Sequence, residues 1–164
     1  MKDSAHTWDT RVDDERDLTM PVTDDQVATL RAYLAGEFHL YERLHGQLDP
    51  TAAKTGFSAL LTAAFFEAVD RRFAQSGTAA DVVEFVGAVR ARSDELAEEL
   101  DPRAAERVIR AILIDEDVAD IDAAIKINTQ FLLLYPLVED AHLDDAGLDD
   151  LLAEARKLAD DWTA

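Results

Sequence analysis

Hydrophobic residues recur at the three- and four-residue spacing of an α-helix through most of this chain. The most apolar stretch is 56–69, and Ala59, Ala63, Phe66 and Phe73 extend its apolar character beyond one face. One face of this stretch carries Phe57, Leu60, Leu61, Ala64, Phe65 and Ala68. A helix that is apolar on most sides must be covered on most sides. We therefore predict that a helix over about 50–75 is the centre of a bundle or lies in a subunit interface.

Helix-start signals divide the remaining chain. Thr23 and Gln26 form a capping-box pattern, which begins a first helix that the apolar spacing continues to about Leu48. Asp49-Pro50 and Asp101-Pro102 each place an N-cap residue before a proline at the first helical position. These two pairs begin the second and the fourth predicted helices.

Three further helices complete the bundle in this interpretation. The third begins at Thr78 and extends to about Leu100. The fifth, over about 122–140, is predicted to be the second core helix, with a kink or break at Pro136 because proline cannot donate a backbone hydrogen bond. A sixth helix follows from about Asp144.

The sequence predicts an all-α fold, because no segment shows the sustained alternation of a β-strand. We expect a compact bundle of about five to six helices in one domain over 23–164. Residues 1–22 are polar and acidic without periodicity, so they are predicted to form a disordered tail.

The amino-acid composition excludes several kinds of functional site. The 164 residues include no cysteine, which excludes disulfides, thiolate metal sites and cysteine nucleophiles. The first residues lack the apolar segment of a secretory signal, and no apolar run is long enough for a membrane span. We expect a cytoplasmic protein that does not associate with membranes.

The formal charge of −19 is the strongest compositional feature. Frequent Ala, Arg and Asp are consistent with a GC-rich coding bias, and a dense acidic surface is also consistent with adaptation to salt. Under either interpretation, the charge disfavours binding to nucleic-acid phosphates or anionic lipids and favours basic partners or none.

Four polar residues fall among the apolar positions of predicted core helices. Glu37, Tyr41 and His45 lie one turn apart in the first helix, and Asn128 lies near Ile125 and Phe131 in the fifth. Buried polar groups need hydrogen-bond partners. These residues therefore form either an internal network that fixes helix register or a polar-lined pocket for a small ligand.

The sequence predicts no metal and no cofactor. Glu42…His45 and Glu139…His142 have the Glu-x-x-His spacing of ferritin-like metal bundles, but suitable carboxylates on two further helices are missing. The acidic connector 115–122 fails the EF-hand pattern, because Asp120 and Lys126 occupy the positions of the required glycine and glutamate.

The fourth helix carries three arginines along one side, Arg103, Arg107 and Arg110. A basic helix after a tight turn is also a feature of helix-turn-helix proteins. Glu98 and Glu99 immediately before it would repel phosphate, so we predict that these arginines pair with nearby acids and that the chain binds no nucleic acid.

These patterns favour a non-enzymatic interaction or regulatory module, and Phe66 and Phe73 would supply an apolar face for self-association or for a protein partner. The alternative is a ligand-binding or catalytic bundle with Glu37, Tyr41, His45 and Asn128 around an interior pocket. A weaker alternative is an acidic mimic that binds a basic partner through the carboxylates of the third and sixth helices.

Overall fold

The computed structural model describes residues 21–73 and 77–163. These residues form eight helices of six residues or more and contain no strand, which confirms the all-α class. The predicted count of about five to six helices is too low. The helices are α1 Asp24–Leu34, α2 Phe38–Gln47, α3 Ser58–Phe73, α4 Ala79–Arg90, α5 Asp94–Glu99, α6 Pro102–Ile114, α7 Ala123–Asp140 and α8 Asp145–Thr163.

The predicted first helix is broken at Gly36. This residue adopts a φ of +81°, a left-handed conformation that favours glycine. The Glu37 N–H donates to the Ala32 carbonyl at 2.9 Å, and the Gly36 N–H donates to the Tyr33 carbonyl at 3.1 Å. This pair of bonds is a Schellman motif. It ends α1, and α2 then begins in a new direction.

The predicted third helix is broken after Arg90. The Ser93 hydroxyl accepts a hydrogen bond from the Leu96 N–H at 3.1 Å and so caps the start of α5. The Arg90 guanidinium donates to the carbonyls of Leu100 and Ala97 at 2.9 and 2.8 Å. These bonds satisfy backbone groups at the end of α5 and hold the turn between the two helices closed.

Helix α3 lies at the centre of the bundle. It packs mainly on α8 and α7, with further contacts to α6. A helical turn at Pro50–Ala52 and a π-helical turn at Ala53–Phe57 lead into it, so the helical segment begins where the sequence predicts. Eight of its side chains are buried: Leu60, Leu61, Ala63, Ala64, Phe65, Ala68, Val69 and Phe73.

Helix α7 has the predicted extent but a different inner face. Its buried residues are Thr129, Leu133, Leu134, Pro136, Leu137 and Val138. Asn128 is exposed and Ile125 is half exposed. The face of α7 that the sequence predicts to be buried is therefore rotated about the helix axis from the face that is buried in the structure. The helix continues through Pro136 without a break. The buried face differs from the predicted one because α7 packs on α3 and on α6, while its aromatic side chains contact α1 and α2.

The core begins inside the predicted tail. Val22 is buried, its N–H donates to the Asp160 carboxylate at 2.9 Å, and its carbonyl accepts from the Arg156 guanidinium at 2.7 Å. Val22, the last residue assigned to the predicted tail, is therefore held against α8, and residues 1–20 of that tail lie outside the described part of the chain.

We predict that Gly36→Ala lowers the free energy of unfolding by about 1–2 kcal/mol, because alanine must adopt the left-handed conformation. Urea denaturation measures the change. Gly87→Ala is the matched control, since an added Cβ at this mid-helix position meets no atom within 4 Å. It should raise stability by about 0.5–1 kcal/mol. Equal effects of the two substitutions would contradict the role of Gly36 as the helix stop.

Candidate functional site

An open groove of about 760 Å³ lies between the end of α2, the start of α3 and the first half of α7. Phe57 and Leu61 are buried at its base, while His45 and Asn128 are exposed beside it. Most of the remaining lining is apolar. It consists of Tyr41, Gly46, Leu48, Pro50, Ser58, Ala124, Ile127 and Phe131.

Aromatic contacts fix the wall of the groove. The His45 ring lies 5.5 Å from the Tyr41 ring and 5.6 Å from the Phe57 ring, measured between centroids. Tyr41 also lies 5.9 Å from Phe131 across the groove. Offset and edge-to-face aromatic pairs are favourable at these separations. The imidazole of His45 is therefore held between α2 and the lead-in to α3.

Tyr33 supports this wall from behind. Its ring stacks on Phe131 at 4.3 Å, and its hydroxyl donates to the Phe131 carbonyl at 3.1 Å. Burial raises the pKa of Tyr33 and of Tyr41. Both phenols are therefore neutral hydroxyls at physiological pH, and the groove contains no phenolate charge.

The groove presents polar side chains that are free to bind a ligand. Among the described residues, the side chains of Tyr41, His45 and Asn128 make no hydrogen bond to another part of the chain. A phenol, an imidazole and an amide together offer both donors and acceptors. An apolar groove with a few such groups is the usual form of a binding site.

The groove therefore brings together three of the four predicted site residues. Glu37 is not among its lining residues, because the break at Gly36 places Glu37 at the exposed N-cap of α2. Glu37, His45 and Asn128 are all exposed, and no hydrogen bond joins them in the described part of the chain. The internal network considered from sequence is not formed.

A feature that the sequence did not indicate positions the base of the groove. Gln26 is buried against Gly56, so a Cβ at residue 56 would lie 2.7 Å from the Gln26 amide. Gln26 also accepts from the Thr23 N–H at 3.0 Å in the capping box of α1. The isolated glycine in an apolar helix was the available signal. It allows α1 to contact the π-helical turn that ends at Phe57.

The Glu-x-x-His pairs do not form metal sites. Glu42 and His45 are exposed, while Glu139 accepts from Arg92 at 2.6 Å and from the Tyr135 hydroxyl at 3.0 Å. His142 lies beyond the end of α7. Within 21–73 and 77–163, no three His, Asp or Glu side chains are grouped to hold a metal ion.

The acidic connector between α6 and α7 is held against α6 by hydrogen bonds and ion pairs from arginine side chains. Arg107 donates to the two carboxylate oxygens of Asp120 at 2.7 and 2.8 Å and to the Asp117 carbonyl at 2.8 Å. Arg110 donates to Glu116 at 3.1 Å. Two of the three arginines considered for phosphate binding are thus engaged with carboxylates of the same chain.

The two phenylalanines proposed for an external apolar face have different environments. Phe73 is only 1% exposed and packs edge-to-face on Phe85, with ring centroids 5.7 Å apart. Phe66 is 38% exposed. Phe73 therefore stabilises the chain internally, and a partner that contacts this region of α3 can reach Phe66 but not Phe73.

No family model matches the sequence, and no match was found among curated proteins or among solved structures. Among the helices that the structure describes, none has both the length and the apolar character to cross a membrane.

We predict that Asp120→Asn destabilises the chain near neutral pH. The hydrogen bonds from Arg107 lower the pKa of the Asp120 carboxyl from its ordinary value of 3.8 to about 2. A group with a lowered pKa in the folded state stabilises that state above its ordinary pKa, and the contribution is lost as the pH falls through the folded-state value.

The difference in urea midpoint between wild type and Asp120→Asn should therefore be constant above about pH 5 and shrink towards pH 2. Asp70→Asn removes the same charge from an exposed position on α3 and is the control. If the two variants lose stability equally at neutral pH, the Arg107–Asp120 pair does not hold the connector.

Proposed function

We propose that this chain is a non-enzymatic protein-interaction module that holds an apolar helix of a basic partner in the groove. The observation that carries the proposal is the open, mainly apolar groove with its three polar side chains, Tyr41, His45 and Asn128. A partner helix would place apolar side chains at successive turns against Phe57, Leu61 and other lining residues.

The shape of the groove favours a helix over a compact cofactor. The groove is open to solvent and has residues of α2, α3 and α7 in its lining, so an elongated occupant need not be enclosed. Its lining includes Leu48 and Ile127, and Ile125 nearby on α7 is 50% exposed. Leu48 and Ile127 are half-buried, so the groove keeps part of its apolar surface accessible, and accessible apolar surface is a common feature of interaction sites.

The charge of the chain favours a basic partner. Among the described residues, no lysine or arginine lines the groove. Within two residues of lining positions lie the carboxylates of Glu42, Asp49 and Asp122 and the cations Arg43 and Lys126, so the preference for a basic partner rests on the net charge of −19. Opposite charges at the rim of an interface accelerate association and suppress wrong partners. A second copy of the chain would bring another −19 of charge, so self-association is less favoured than a basic partner.

A second candidate function uses the same groove for a small ligand. It is supported by the polar side chains of Tyr41, His45 and Asn128, which could orient such a ligand or take part in its chemistry. The acidic-mimic alternative has less support. Helix α8 packs mainly on α3 and α1, whereas α4 packs on α6 and α5, so their carboxylates lie on helices with different main neighbours.

The test is binding of a designed amphipathic helix that has leucines at helical spacing and lysines elsewhere. Fluorescence anisotropy should show that Ala124→Trp, which fills the exposed side of the groove, weakens this peptide about tenfold or more. Ala153→Trp, at an exposed position on α8 outside the groove, should leave binding within about twofold. The same peptide with glutamate for lysine should bind more weakly.

Equal loss in the two variants, or no difference between the lysine and glutamate peptides, would contradict the proposal. Native mass spectrometry of protein purified from its source distinguishes the remaining possibilities. A small molecule bound in stoichiometric amount would favour the second candidate function, and a dimer mass would favour self-association.

A further inference from the structure

We propose that a second concave site, between α3, α7 and the start of α8, binds a small organic carboxylate with a hydrocarbon tail. We call this site the arginine cleft. It has a volume of about 250 Å³, and Arg71 and Arg72 line it together with Ala68, Leu137, Val138, Ala141, Leu143 and Leu151.

The walls of the arginine cleft are suited to hydrocarbon. Leu137 and Leu151 are about 1% exposed, and Ala68 is 6% exposed, so their side chains form part of the core and not a mobile surface. The polar side chains in the lining are the two arginines. Ala141 is exposed and Leu143 is half-buried, so these two residues give the cleft accessible apolar surface. The chemistry of the cleft therefore requires an apolar ligand with a charged end.

The positive charges of the two arginines would select a ligand with a negatively charged end. Arg72 has its guanidinium carbon 4.8 Å from the centre of the Phe73 ring, and no carboxylate of the described residues lies within 4 Å of it. Arg71 has one ion pair, to Asp150 at 3.3 Å, and that carboxylate is 69% exposed. Among the described residues, Arg72 makes no ion pair and Arg71 makes one, to an exposed carboxylate, in contrast to Arg107 with its two-oxygen pairing to Asp120.

Two consecutive arginines line this apolar cleft, so a carboxylate end group in it has guanidinium donors within the lining. The planar donors of arginine bind the two carboxylate oxygens in parallel, and such charge-assisted bonds are stronger than neutral ones. Arg72 is held in place by packing on the Phe73 and Phe85 rings, so less side-chain entropy is lost on binding. The small volume limits the tail to a short alkyl or aryl group.

The arginine cleft is independent of the proposed function. Along α7, the groove is lined by residues from Ala124 to Phe131, whereas the cleft uses Leu137, Val138 and Ala141 beyond the end of that range. A ligand in one site therefore does not occupy the other. Failure of one proposal leaves the other unchanged.

The test compares three probes that share one tail: hexanoate, 1-hexanol and hexylammonium. Titration of the isotopically labelled chain by two-dimensional NMR reports affinity and location together. Hexanoate should bind about tenfold or more tightly than 1-hexanol. Its shifts should centre on Ala68, Leu137 and Leu143 and leave the groove residues unaffected.

Variants distinguish the contribution of the arginine charges to binding from the contribution of the apolar cavity. The double variant Arg71→Gln/Arg72→Gln should weaken hexanoate about tenfold and leave 1-hexanol within about twofold. Arg43→Gln removes an exposed arginine of α2 outside both sites and should change neither probe. Ala141→Leu, which fills the cleft from an exposed position, should weaken both probes.

The proposal is overturned if hexylammonium binds as tightly as hexanoate, if the shifts map elsewhere, or if Arg43→Gln weakens hexanoate as much as the double variant does. Far-ultraviolet circular dichroism confirms that each variant is folded before it is titrated. If the double variant has reduced helix content, Arg72→Gln alone replaces it. This single variant is expected to lose hexanoate affinity severalfold, and an unchanged affinity would overturn the role of Arg72.

Discussion

The fold depends on the burial of α3 against α7 and α8. Leu60, Ala64, Phe65 and Val69 are completely removed from solvent, and they lie on more than one side of the helix. Each large apolar side chain that is fully buried contributes about 1.5–3 kcal/mol. No surface ion pair in this acidic chain approaches the total from one such helix, because exposed pairs contribute about 1 kcal/mol or less. The acidic shell is therefore secondary to the apolar contacts of α3.

The two concave surfaces follow from the position of α3. The lead-in to α3 supplies Phe57 to the groove, and its last turns supply Arg71 and Arg72 to the arginine cleft. Helix α7 lines both sites from its two ends. The packed α3–α7 pair thus contributes to both concave surfaces and keeps them apart. Each surface has buried members whose positions are set by the core: Phe57 and Leu61 in the groove, Leu137 and Leu151 in the cleft. Such preorganisation would favour the proposed binding.

Local signals made much of the fold predictable. The capping box at Thr23, the Asp101-Pro102 helix start and the apolar stripe of α3 all specify structure within a few residues. The apolar spacing continues across Gly36 and so does not predict the break there, although glycine is a common helix stop. Asn128 was assigned to the wrong face because α7 has neighbours on several sides, and its sequence pattern does not distinguish them.

The candidate site was predictable only in part. Tyr41 and His45 are four residues apart in one helix, so helical periodicity alone brings them together. The groove also needs the Gln26–Gly56 contact, and the cleft needs Leu151 beside Arg71, both of which depend on contacts between distant segments. The pairing of Arg107 with Asp120 also depends on the tertiary fold, because the connector must fold back along α6 before the two side chains meet.

The most direct test of the central role of α3 compares two adjacent phenylalanines. Phe65 is completely buried, whereas Phe66 is 38% exposed on the same helix. Urea denaturation of Phe65→Ala should show a loss of about 3–5 kcal/mol, because truncation leaves a cavity in the core. Phe66→Ala should cost well under half of that, since its side chain keeps contact with water in the folded state. Equal losses for the two variants would contradict the claim that the buried faces of α3 hold this fold together.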